Sequence, residues 1–319
     1  MTEAKFSPAR LTLAIASLPI TVDLPDPAWA PALWERYAAF LTTDPAAWRV
    51  TLTLDPGLSD TDAAWIRHEG PRTTFRVAAY TGWIDLAGRQ AQVSTPSAAR
   101  APSAVERTLA YILMQTLPRE CGGLLLHASG IVLDGQGHVF TGPSGAGKTT
   151  VVALAQGCAE VLSDENVVVR PAPLTPQAWG EAALPSCGAV GRPTPPEVGG
   201  LGGPGWNLES TPLWGFSTPP ELIRRVNRRA PLAALYTLAH TPDFRLDRLS
   251  PAEAALALLG TEKVATERPE SAAAWLAAVE RLVAAVPVYR LGFRPTAELW
   301  EFLTATPNDQ RRRTNDDPT

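Results

Sequence analysis

Gly142-Pro143-Ser144-Gly145-Ala146-Gly147-Lys148-Thr149 fits the pattern G-x-x-x-x-G-K-[ST], the phosphate-cradling P-loop. The spacing has a chemical reason. Gly142, Gly145 and Gly147 let the backbone wrap closely round a polyphosphate with its N–H groups pointing inward. Lys148 is spaced to reach the β- and γ-phosphates, and the Thr149 hydroxyl to sit on Mg²⁺. Pro143, Ser144, Ala146 and Thr150 complete the predicted nucleotide-binding stretch. The competing reading is a glycine-rich turn that happens to hold a lysine. Lysine's scarcity argues against it: Lys5, Lys148 and Lys263 are the only lysines, and arginine supplies the remaining positive charge. A compact ammonium suits a terminal phosphate.

The flanking residues agree. His138-Val139-Phe140-Thr141 reads as a strand, and Thr149 to Gln156 opens a helix through Val151, Val152, Ala153 and Leu154. Strand, glycine loop and helix is the order that brings phosphates to a helix N-terminus. Upstream, Leu124 to Leu133 is apolar and is followed by Asp134-Gly135, a strong hairpin signal. A hairpin is therefore predicted to deliver the chain into the loop, where the common P-loop proteins use a parallel β-α-β unit.

Two further features sharpen the chemistry. Asp164-Glu165 ends an apolar run shortly after the P-loop helix. Phosphoryl transfer needs a carboxylate for Mg²⁺ and often another to accept the acceptor's proton. An exposed acidic turn is the plain alternative. His127 is predicted in the strand pairing with the one that enters the loop, near enough to influence proton transfer. A purely structural histidine competes evenly with that reading.

The rest of the chain sets the frame. Its 319 residues suffice for one large domain or two modest ones. Hydrophobic content of 45% and charged content of 19% describe an ordinary globular protein. A net charge of −4 carries no electrostatic footprint for nucleic acid. The one dense basic run, Arg311-Arg312-Arg313, lies in a polar tail beside Asp316 and Asp317 and reads as a solvated end. Cys121, Cys158 and Cys187 lack C-x-x-C spacing, so neither a zinc site nor a disulfide framework is expected; two are read as packed and one on a loop. Leu11 to Leu18 is too short to span a membrane and lacks the flanks of a signal peptide, so the location expected is cytoplasmic, with no membrane or nucleic-acid partner.

Residues 1–100 read as a separate α+β block: a strand over Arg10–Val22, and a helix over Pro27–Leu41 with Trp29, Leu33, Trp34, Tyr37 and Phe40 on its core face. A strand at Arg49–Leu54 and two at Thr73–Tyr80 and Trp83–Val93, turning at Thr81-Gly82, complete it. Ala98–Ser103 reads as a linker, and Ser103 as the cap of a helix that Pro118 ends. Residues 101–304 hold the nucleotide-binding unit, with 305–319 as a disordered tail. Within that unit, Pro171–Gly215 is rich in Pro and Gly and reads as a functional loop, a lid or acceptor platform. Pro231–Ala239 and Val286–Phe293 read as strands, and Ser250 and Ser271 as helix caps. Arg224, Arg225, Arg228 and Arg229 are candidates for spreading the transferring charge, with a solvated helix face as the alternative.

Leu126-His127-Ala128-Ser129, the hairpin, Thr141 to Thr149 and Leu162-Ser163-Asp164-Glu165 together resemble the HPr kinase/phosphorylase-like family. That family shares its nucleotide-binding core with ATP-dependent phosphoenolpyruvate carboxykinase. Weaker matches at Thr211–Gly215, Pro231–Tyr236 and Val286–Leu291 extend the resemblance from about Leu124 to Phe293. It implies an α/β fold with a carboxykinase-like P-loop core, to which the smaller N-terminal α+β block read from the residues is joined. It also implies an ATP- and Mg²⁺-dependent kinase acting on a serine-type hydroxyl of a peptide or protein; relatives tailoring lasso peptides act on peptide precursors. By that resemblance Lys148 and the loop amides hold the phosphates, and Thr149 with Asp164 or Glu165 holds Mg²⁺. Asp164 is the favoured base, with His127 assisting. The family's acidic pair is Asp-Asp where this chain has Asp-Glu, and an acidic residue stands where this chain has Thr150. A small-molecule kinase and a nucleotide-dependent binding protein stay open as alternatives, as does a homo-oligomer.

Overall fold

The computed structural model describes residues 9–61, 64–172, 205–215, 218–260 and 268–305. The chain is mixed α/β, with two mixed sheets and six α-helices among the described residues. The first sheet is built from β1 (Arg10–Ile15), β2 (Leu18–Asp23), β3 (Trp48–Leu54), β4 (Trp65–Glu69), β5 (Arg72–Val77), β6 (Tyr80–Asp85) and β7 (Gln90–Thr95). Their order across it is β1-β2-β3-β7-β6-β5-β4. β2 and β7 each run parallel to β3, and the remaining neighbours are antiparallel.

The predicted strand over Arg10–Val22 is in fact the hairpin β1–β2. Ala16 and Ser17 turn it with φ of +52° and +63°. Two-residue hairpin turns of this hand normally carry Asn or Gly, so Ala-Ser left no signal. Likewise β5 and β6 turn at Ala78, φ +51°, and not at Thr81-Gly82, which lies inside β6. Gly82 is needed there for close approach: a Cβ would collide with the Gln92 carbonyl of β7.

The aromatic segment breaks into α1 (Ala30–Tyr37) flanked by 3-10 turns at Pro27–Trp29 and Ala38–Phe40. Leu33, Tyr37 and Phe40 are buried, and Trp29 and Trp34 pack against the same core, as expected of a core face. α2 (Ala101–Glu120) closes this core with Val105, Leu109, Ile112 and Leu113. A 3-10 turn at Ala98–Arg100 stands where a linker was expected, and Ser103 lies inside the first turn of α2. Pro118 does not end the helix as expected: it lies inside the last turn, and the helix runs on to Glu120. The helix ends at Gly122, whose φ of +65° reverses the chain.

The second sheet contains β8 (Leu124–Leu126), β9 (Ala128–Leu133), β10 (Gln136–Thr141), β11 (Glu160–Ser163), β12 (Val167–Pro171), β13 (Trp206–Glu209), β14 (Arg229–His240), β15 (Arg245–Arg248) and β16 (Val288–Phe293). β9 and β10 form the predicted hairpin, with Asp134 and Gly135 at φ +49° and +76°. The long β14 runs parallel to both β10 and β16, while its start pairs antiparallel with β13. β13 falls within Pro171–Gly215, so that stretch is not structureless throughout; residues 173–204 lie outside the described residues.

α3 (Lys148–Leu154), α4 (Pro251–Leu259), α5 (Pro269–Ala285) and α6 (Glu298–Ala305) pack on this sheet. Ser250 caps α4 through a reciprocal box with Glu253. Ser271 does not cap α5: Arg268 occupies that position, and the Ser271 hydroxyl bonds Gln115 of α2. Cys121 and Cys158 are both exposed, not packed, because each sits in the turn that follows a helix; Cys187 lies outside the described residues. No helix among the described residues is long and apolar enough to cross a membrane. The tail from 306, with its arginine run, is likewise outside them.

Candidate active site

Strands β10, β14 and β16 are parallel, and their carboxyl ends come together. Thr141 is level with Thr237, and His240 with Phe293. Crevices at the carboxyl ends of parallel strands are where α/β sheets take ligands. The glycine loop emerges from Thr141 at this edge. Its backbone turns on Gly142 (φ +152°), Gly145 (φ +81°) and Gly147 (φ +103°), the last immediately before α3. Each of these angles is costly for any residue with a Cβ. Gly147 has a second constraint: a Cβ there would lie 2.7 Å from Cζ of the fully buried Phe293. Val151 and Val152, also fully buried, anchor the start of α3, and the Trp300 indole donates to the Leu154 carbonyl at 2.6 Å.

Lys148 Nζ donates to the Gly142 carbonyl at 2.8 Å, so the ammonium is held against the loop itself. Burial lowers its pKa from the ordinary lysine value, with Glu165 and then Asp164 pulling the other way.

Opposite the loop, the Ser163–Asn166 turn is fastened from both sides. Ser163 Oγ accepts from the amides of Glu165 and Asn166 and donates to the Leu213 carbonyl. Thr211 Oγ1 donates to the Asn166 carbonyl at 2.6 Å. The two carboxylates of this turn then differ sharply. Asp164 is 4% exposed and accepts three hydroxyls: Ser129 on Oδ1 at 3.1 Å, and Thr149 and Thr218 on Oδ2 at 3.0 and 2.8 Å. The Glu165 side chain is 39% exposed, with Oε1 3.5 Å from His127 Nδ1.

His127 does not sit within a strand. It occupies the single-residue break between β8 and β9, where the chain leaves its pairing with β12 and takes up pairing with β10. The break lets its ring turn toward the loop while its carbonyl accepts from Thr141 Oγ1.

A cavity of about 290 Å³ joins these groups, lined by His127, Ser144, Gly145, Gly147, Lys148, Thr149, Thr150, Asp164, Glu165 and His240. Of the residues predicted from sequence, Gly142, Pro143 and Ala146 shape the loop from behind and do not line it. The four arginines do not line it either. Arg228 pairs with Glu160, Arg229 with Glu209, Arg224 bonds nearby carbonyls, and Arg225 faces α1.

Sequence reasoning missed His240, Ser129 and Thr218. His240 Nε2 lies 3.2 Å from the Gly145 carbonyl, its ring against Phe293. A histidine ending an apolar strand was the available signal. Ser129 stood in the quoted Leu126–Ser129 stretch without a role, and Thr218 carried no signal, because both act only through contact with Asp164.

No group of three His, Cys, Asp or Glu among the described residues gathers as a metal cluster. The donors at the loop are instead the Thr149 hydroxyl with Asp164 and Glu165, an all-oxygen set. That chemistry suits a hard cation such as Mg²⁺, which keeps waters and phosphate oxygens as its other ligands. Donating its proton to Asp164 leaves the Thr149 oxygen's lone pairs for such an ion. Neither protein-family models nor curated proteins match this chain.

Proposed function

We propose that the chain is an ATP- and Mg²⁺-dependent phosphotransferase, with a carboxykinase-like P-loop core of the HPr kinase type, acting on a serine-type hydroxyl of a peptide or protein. The observation that carries this reading is the single cavity in which Lys148, Thr149, Asp164, Glu165 and His127 meet. A glycine loop alone supports nucleotide binding. A loop facing two carboxylates of opposite environment supports transfer.

In this reading the amides of Ser144 to Thr149 and the Lys148 ammonium bind the phosphates. Thr149 and Asp164 hold Mg²⁺, which supplies charge neutralisation at the phosphate oxygens. Asp164 is committed to three hydroxyls and positions the Thr149 side chain. Glu165, exposed and beside His127, takes the acceptor's proton. The acceptor oxygen forms its bond to the γ-phosphorus as the bond to the β–γ bridging oxygen breaks, and ADP leaves. This assigns the base to Glu165, where the family resemblance favours Asp164.

Intact-mass spectrometry tests it. Free serine, an HPr-type carrier and serine-containing peptides are incubated with the protein, ATP and Mg²⁺, with Lys148→Ala as control. A phosphate-sized gain on one acceptor, absent in the control, establishes transfer and names the acceptor class. Bound ATP with no gain on any acceptor would favour the nucleotide-dependent binding protein instead.

A further inference from the structure

Of the four arginines leading into β14, Arg225 alone has buried donors without an acceptor. Among the described residues its Nε and Nη2 make no hydrogen bond. It faces a cleft of about 330 Å³ lined by Ala32, Glu35, Arg36 and Arg225. Ala32, Glu35 and Arg36 belong to α1, which packs on the first sheet, and Arg225 belongs to the second half of the chain, so the cleft lies where the two halves meet. Such junctions are favoured places for ligand sites.

The charges in the cleft are out of balance. Arg36 Nε donates to Glu106 Oε1 at 2.8 Å, and Glu106, on α2, is buried. Arg225 lies close enough to Arg36 to be repelled by it: burial, and then Arg36, lower the pKa of Arg225 from the ordinary arginine value. A guanidinium does not shed its proton in a protein. Two permanent cations therefore share one buried carboxylate, and two donors of Arg225 go unanswered. Donors left buried and unmatched are unfavourable, because they lose their bonds to water and gain none. Glu35 stands exposed on the rim and, among the described residues, is within ion-pair distance of neither guanidinium.

We propose that the Arg36–Arg225 cleft binds an oxyanion, the carboxylate or phosphate group of a small ligand, separately from the P-loop cavity. An oxyanion supplies the missing acceptors and the missing negative charge together, and planar guanidinium groups recognise it through paired N–H donors. Glu35 on the rim repels a bound anion and so weakens the site.

The test is calorimetric titration of full-length Lys148→Ala protein, in which the P-loop's main phosphate contact is removed. Inorganic phosphate and glutarate are titrated separately. Saturable binding of about one equivalent of at least one of them is expected, and the preferred anion names the ligand class. Adding Arg225→Met is expected to weaken that binding about tenfold or more, in line with loss of a charge-assisted pair. It should leave the fold intact, because it removes unmatched donors. Glu35→Gln, an exposed substitution, is expected to tighten binding several-fold. Absence of saturable binding with both anions overturns the proposal, and so does binding that neither substitution alters.

Discussion

Asp164 Oδ2 accepts the Thr149 hydroxyl at 3.0 Å, which ties the residue closing the P-loop to the acidic turn across the cavity. Those residues are separated by a helix and a strand, and Thr218 donates to the same oxygen at 2.8 Å. A carboxylate with this many partners is a positioning group, held still so that the loop's hydroxyl is held still.

Thr218→Val removes one donor from a buried, charged acceptor while keeping the shape of the side chain. Hydrogen bonds to charged groups contribute about 1.5–3 kcal/mol. A loss of that size is expected in chemical denaturation. Unchanged stability would mean that Thr218 is a bystander.

Glu165→Gln and Asp164→Asn should separate the two carboxylates. Removing a general base costs on the order of 10²–10⁴-fold in rate. Glu165→Gln is expected to lower kcat by that much with nucleotide affinity nearly intact. Asp164→Asn is expected to shift the Mg²⁺ concentration needed for half-maximal rate as well. If Glu165→Gln turns over normally, the base is elsewhere.

Gly147→Ala is expected to destabilise the protein as well as the site. Its φ of +103° is strained for alanine, and the new methyl would press on the Phe293 ring. Backbone strain of this kind is worth on the order of 1–3 kcal/mol. A lowered Tm, with weakened nucleotide binding by titration, is the expected result.

His138 should make the protein sensitive to acid. Burial lowers its pKa from 6.5 to about 4, and its Nδ1 lies 3.1 Å from the Tyr236 hydroxyl. The folded state therefore prefers the neutral ring. Above pH 6.5 neither state is protonated there and the histidine has no pH effect. Below it the unfolded chain takes up a proton that the folded chain refuses, so stability falls until about pH 4. The full loss is roughly 3 kcal/mol. Denaturant midpoints for wild type and His138→Phe, measured between pH 7 and 4, should diverge, with the variant showing the shallower decline.

Much of the candidate site was legible because it depends on local rules. The glycine loop needs particular backbone angles at Gly142, Gly145 and Gly147, and only glycine meets them cheaply, so the motif carries its own structure. Asp134-Gly135 specified the hairpin for the same reason. Where turns used ordinary residues, at Ala16-Ser17 and Ala78, the reading failed. Those angles are imposed by the pairing of whole strands and not by the residues that adopt them.

The sequence by itself determined the loop, the hairpin feeding it, the acidic pair and the core face of the aromatic segment. Each rests on periodicity or on an intrinsic conformational preference, and both are written in neighbouring residues. Only the tertiary structure decided that Asp164 is buried under three hydroxyls while Glu165 is left beside His127. It likewise decided that His240 reaches the loop and that Arg225 faces Arg36 across a cleft. Those roles come from burial and from contacts between residues far apart in the chain, which exist only once the two sheets have folded.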